Sequence, residues 1–261
     1  MARPADLLLL PILAAQGAWV RWATPRLPPA AGPRSGEVPG QGETIGLWFL
    51  GESTVAGVGV DDHQRGLAAQ TAVALAARQG RPVRWRAIGL SGATVAMARQ
   101  RLAPRLSSAD RRGDHDAVVV CLGVNDVLRR TSLALWETEM TALAQEIRQR
   151  MGEIDLLFCG PPPLGEFPAF PVPLRGFLGR RAEGLRQSQA RVVERTDRAL
   201  LAPSLSSLAP HHFCQDRFHP GAEGYHAWGN LIADQLAARA FTDPAPTGPA
   251  PTDPAPTDPD S

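Results

Sequence analysis

The sequence predicts an α/β fold: a parallel sheet of about five strands between two helical layers. Three observations lead there. From residue 44 onward, short apolar runs alternate with longer stretches of helical character. The runs stop abruptly at glycine or polar turn residues. One of them, 116–122, is almost continuously apolar, as a strand covered on both faces must be.

Composition narrows what such a domain can do. At 261 residues the chain can hold one sizeable domain with appendages. A hydrophobic share of 44% suits a globular protein, and a net charge of +1 gives no footprint for nucleic acid. All 27 of the Lys+Arg residues are arginine, which removes lysine nucleophiles, Schiff bases and a P-loop. Cys121, Cys159 and Cys214 form no disulfide framework, and none of them stands at metal-ligand spacing, so no metal is expected.

Residues 1–22 carry Arg3 and an apolar run over 7–20, shorter than the roughly 20 residues that span a bilayer. The run resembles the apolar part of a signal peptide. Pro11, Arg21 and Trp22 equally suit a helix lying on a membrane surface, and a helix packed on the domain is a third reading. Export to the periplasm, membrane association through 7–20 and a cytoplasmic location all stay open. Residues 23–43, rich in Pro and Gly, read as a linker.

The folded domain is expected over 44–241. Its first strand is 44–51, an apolar run ending in Gly51-Glu52-Ser53, followed by an Ala-rich helix over 64–79 that Gly80 closes. A second strand over 83–89 leads to a helix over 94–106. The third strand, 116–122, precedes a long helix to Met151, capped by Thr131 or Ser132 and closed by Gly152. Strand four is 154–159. The regularity then breaks at Gly160-Pro161-Pro162-Pro163. The proline-rich stretch 160–179, with Phe167, Phe170, Leu174 and Phe177, leaves the same sheet edge as Ser53 and is expected to wall an apolar pocket. A polar helix over 180–200, a weak strand near 200–206 and a helix over 221–240 complete the domain. Residues 242–261 repeat Pro-Ala-Pro-Thr and Thr-Asp-Pro with almost nothing to bury, and read as a disordered tail.

Three strand ends and one late loop carry reactive groups. Ser53 follows the first strand, where an open α/β sheet binds ligands. A serine hydroxyl needs a base, and His219 is the candidate. Asp216, three residues earlier, can reach back to the other ring nitrogen on one turn. The oxyanion of an acyl-transfer intermediate needs donors. The Ser53 N–H, the N–H of Gly92 after strand two and the side-chain amide of Asn125 after strand three can supply them. Singly, Gly92 reads as a turn residue and Asn125 as a cap. Together they deliver what one reaction requires.

These four blocks resemble the SGNH, or GDSL-like, hydrolase family. Gly51-Glu52-Ser53 matches the nucleophile block, with Glu52 where that family usually has Asp. Ser91-Gly92-Ala93-Thr94, Gly123-Val124-Asn125-Asp126 and Asp216-Arg217-Phe218-His219-Pro220 match the other three, in the family's order. The resemblance implies a flavodoxin-like three-layer α/β/α sandwich. It also implies hydrolysis of a small-molecule ester or thioester with no metal or organic cofactor. Ser53 would be acylated with His219 and Asp216 completing the triad, and Ser53, Gly92 and Asn125 would hold the oxyanion. Two rivals remain: acyl transfer to a sugar or alcohol at the same site, and a flavodoxin-like phosphate or nucleotide module using the 51–59 loop. The latter leaves Asp216 and His219 without a task.

Overall fold

The computed structural model describes residues 8–111, 116–202 and 209–238. Its centre is a six-stranded sheet: β1 (Ser35–Val38), β2 (Ile45–Gly51), β3 (Val83–Gly89), β4 (Ala117–Cys121), β5 (Asp155–Cys159) and β6 (Ala199–Leu201), in the order β1-β3-β2-β4-β5-β6. All neighbours are parallel except β1, which runs antiparallel to β3 along the edge. Without β1 the order is that of the flavodoxin-like doubly wound sheet, with the reversal between β3 and β4 on either side of β2.

The helices are α1 (Leu10–Ala23), α2 (Leu67–Gln79), α3 (Val95–Arg101), α4 (Val124–Leu128), α5 (Leu133–Met151), α6 (Leu174–Glu194) and α7 (Ala222–Ala238). Strand alternation divides the core between the two sheet faces. Ile45, Leu47 and Phe49 of β2 meet α2 and α7 through Leu67, Leu75, Trp228 and Ile232. Trp48 and Leu50 face the other way, toward α3, α5 and α6 through Val95, Trp136, Met140 and Leu185. Every residue of β2, β4 and β5 is buried, as apolar runs covered on both faces require.

Local signals placed most boundaries. Ser132 caps α5 by accepting the Leu135 N–H at 3.2 Å, and Gly152 (φ 72°) ends it. Gly80 ends α2 in the left-handed region. Two differences from the sequence reading have clear physical causes. The stretch 23–43, read as linker, contributes β1: Ser-Gly-Glu-Val lacks apolar alternation and becomes a strand only by pairing with β3. The polar helix begins at Leu174, not near 180, because Leu174 and Leu178 bury against the core. The short helix α4 follows β4 directly. The weak strand near 200–206 is β6 over its first residues; 203–208 and the expected tail 242–261 lie outside the described residues.

Helix α1 buries Leu13, and Gln16 binds the start of α6 twice, donating to the Val172 carbonyl at 2.8 Å and accepting the Leu174 N–H at 3.0 Å. Its opposite side exposes Ile12, Trp19 and Trp22. Among the described residues no helix is long and apolar enough to cross a membrane.

Candidate active site

The register aligns the strand ends. Gly51 of β2 pairs with Gly89 of β3 and Cys121 of β4, and Cys121 pairs with Cys159 of β5. Whatever follows each strand therefore emerges at one carboxyl edge, at the switch point of the sheet. Ser53 follows β2, Gly92 follows β3 and Asn125 opens α4 after β4. The Leu90 N–H donates to the Gly51 carbonyl at 3.0 Å and the Glu52 N–H to Cys121 at 3.1 Å, which stitches the three loops side by side.

The late loop reaches the same edge. His219 Nε2 lies 3.0 Å from Ser53 Oγ, and His219 Nδ1 lies 2.6 Å from Asp216 Oδ2. An ionised carboxylate only accepts, so the proton sits on Nδ1 and Nε2 is left to accept from the serine hydroxyl. Asp216 is held in turn: its Oδ1 accepts the Phe218 N–H at 2.9 Å, the His219 N–H at 2.8 Å and the Cys214 thiol at 3.0 Å. Burial raises the Asp216 carboxyl, but the hydrogen bonds from His219, Cys214 and the backbone outweigh it and bring the group down to about 2. The turn closes through Cys214 N–H to the His219 carbonyl at 2.9 Å, and it forces Arg217 into the left-handed region at φ 58°.

Ser53 and Gly92 are half-buried, and among the described residues no protein acceptor takes the N–H of either. Gly92 has φ 78°, a conformation open to glycine, and a side chain there would stand in open space rather than against protein. Asn125 is tied to the nucleophile block by Glu52. This buried carboxylate accepts the Val124 N–H at 3.0 Å, the Asn125 N–H at 3.1 Å and, closer still, the Asn125 side-chain amide. Ser53, His219 and Asp216 are thus joined by hydrogen bonds, Asn125 is bound to Glu52 beside Ser53, and Gly92 follows the neighbouring strand at the same sheet edge.

Several supporting groups were not singled out. Asp126 accepts the Val95 N–H at 3.0 Å and the Thr131 hydroxyl at 2.9 Å, fixing α3 to the Asn125 turn. Tyr225, the sole tyrosine, donates to the Val58 carbonyl at 2.6 Å and ties α7 to the loop after Ser53. Cys214 sits two residues before Asp216, and that spacing was its only signal. Among the described residues no three His, Cys, Asp or Glu side chains converge to hold a metal ion.

A cavity opens beside Ser53 and His219. Leu122, Cys159 and Trp228 lie among its lining residues, with Pro162, Phe167, Phe213 and Phe218. Phe167 packs edge-on against Phe213 and Phe218, with centroids 5.1 and 5.7 Å apart, and Phe218 packs edge-on against the His219 ring at 4.8 Å. The 160–179 stretch therefore reaches the pocket through a buried aromatic cluster. The cavity volume is about 40 Å³.

The comparisons agree with this architecture. The model of the GDSL-like lipase/acylhydrolase family matches residues 49–227. A GDSL-like esterase of Mycobacterium tuberculosis is 25% identical over 195 residues, covering 72% of this chain. The match covers 60% of that relative's length. Among solved structures, the chain resembles TesA (22% identity, TM-score 0.58), covering 75% of this chain and 99% of that one. It also resembles a carbohydrate acetylesterase from Sinorhizobium meliloti (18% identity, TM-score 0.52), covering 74% and 99%. At these identities the structural likeness speaks for the fold.

Proposed function

We propose, for a chain that belongs to the GDSL-like lipase/acylhydrolase family, that residues 44–241 hydrolyse carboxylic esters with small apolar acyl groups. The observation that carries this reading is the relay from Ser53 Oγ through His219 to Asp216, at 3.0 and 2.6 Å, beside a small apolar cavity.

In this mechanism His219 Nε2 takes the Ser53 proton as Oγ attacks the ester carbonyl carbon. Asp216 keeps the Nδ1–H tautomer and stabilises the imidazolium that forms. The oxyanion is met by the N–H groups of Ser53 and Gly92 and by the Asn125 amide hydrogen that Glu52 does not take. His219 returns the proton to the departing alkoxide, leaving an acyl-enzyme on Ser53. Water, deprotonated by His219, then attacks the acyl carbon, and the Ser53 oxygen leaves with that proton. Thioesters would follow the same course. Transfer to an added alcohol would replace the water, and product analysis with alcohol present distinguishes the two.

The test is hydrolysis of nitrophenyl esters from acetyl to palmitoyl by the wild type and Ser53→Ala. Turnover should peak at acetyl to butyryl and vanish in the variant. Equal activity in both proteins would overturn Ser53 as nucleophile; a peak at palmitoyl would overturn the small acyl pocket.

A further inference from the structure

Glu52 precedes the nucleophile in sequence and binds Asn125 through both its N–H and its side-chain amide, and the mechanism above gives it no step. We propose that it is a positioning residue: its ionised carboxylate holds Asn125 in the orientation that meets the oxyanion, and a proton on Glu52 disassembles that donor. This rests on the role given to Asn125 under Proposed function.

The geometry is one-sided. Glu52 is 3% exposed, and its two oxygens accept the N–H groups of Val124 and Asn125 and the Asn125 side-chain amide. All three partners are donors and take three of the four or so lone-pair sites of the carboxylate, two of them on Oε2. A proton on Oε2 must displace one of its two bonds, and a proton on Oε1 removes the negative charge that strengthens all three. Oε2 carries both the backbone and the side chain of Asn125, so a proton there frees the amide whose aim matters.

The groups around Glu52 leave the proton within reach near neutral pH. Burial pushes the carboxyl up, bonds from the Asn125 and Val124 N–H groups and the Asn125 amide pull it down, and Asp126 pushes it up again, to about 7. The other titratable groups that line the cavity with it are the Cys121 and Cys159 thiols at the ends of β4 and β5, and His219. Of these only His219 can carry positive charge.

Full-length Glu52→Gln, Glu52→Asp, Asn125→Ala and the Glu52→Gln/Asn125→Ala double variant would be assayed on nitrophenyl acetate. Glu52→Gln should lose roughly 10–100-fold in kcat with KM within about threefold, since the loss concerns a transition-state donor. Glu52→Asp, which keeps the charge, should recover most of that loss. Adding Glu52→Gln to Asn125→Ala should cost less than about threefold more, because both changes remove one interaction. From alkaline to acid pH the wild-type kcat should fall roughly 10–100-fold further than that of Asn125→Ala, because a proton on Glu52 removes a donor the variant already lacks. Glu52→Gln within threefold of wild type, or losses that multiply in the double variant, would overturn the proposal. If Glu52→Gln does not fold, a kcat profile that falls equally far on the acid side in wild type and Asn125→Ala overturns it instead. Activity surviving in Ser53→Ala would fell the functional reading itself, whereas an inactive Ser53→Ala with multiplying losses would fell this inference alone.

Discussion

The Asn125 carboxamide carries two hydrogens, and Glu52 takes one. The other is left to donate, so deleting this side chain removes one donor and leaves the serine, histidine and aspartate in place. Asn125→Ala should lower turnover by roughly 10²–10³-fold, the loss seen when one oxyanion donor is removed, with substrate affinity little changed. Steady-state kinetics on nitrophenyl acetate checks this, and a loss below threefold would contradict it. At this scale the sequence was legible where chemistry is local. Asp216 and His219 are three residues apart, so one turn suffices to join them. Glu52 and Asn125 are 73 positions apart, and nothing at either position names the other as its partner.

Strand ends and tight turns decide how well the loops hold these groups. Gly89 ends β3 against the loop that follows Ser53: a Cβ there would come 2.3 Å from the Ala56 nitrogen and 2.6 Å from the Val55 carbonyl carbon. Both are backbone atoms and cannot rotate away. Gly89→Ala should therefore destabilise the protein by about 1–3 kcal/mol and lower kcat by shifting the Ser53 loop. Denaturant unfolding and turnover of the same preparation test it, and a variant unchanged in both would show that the loop yields freely. Elements with their own caps and apolar runs, such as α5 and β4, were readable in advance. The edge strand β1 was not, since its four residues owe their strand to β3.

Stability belongs to the whole molecule, and acid should act on it through Asp216. Its folded value of about 2 lies below the ordinary 3.8, so its contribution is fully present above about pH 4 and is lost as pH falls through 2. The shift corresponds to about 2 kcal/mol. Asp216→Asn should show a deficit of about that size at pH 6 that closes as the pH approaches 2. Chemical denaturation across that range measures it, and a deficit independent of pH would mean that the carboxylate charge is not what stabilises the turn. The sequence by itself determined the α/β alternation and the order of the four blocks, because strand and helix periods and turn residues are short-range properties. Tertiary structure alone decided that β2 lies between β3 and β4, that Glu52 grips Asn125, that Cys214 donates to Asp216 and that a cavity opens beside Ser53 and His219. Those features arise where distant segments pack, and packing is a property of the assembled interior that no local stretch encodes.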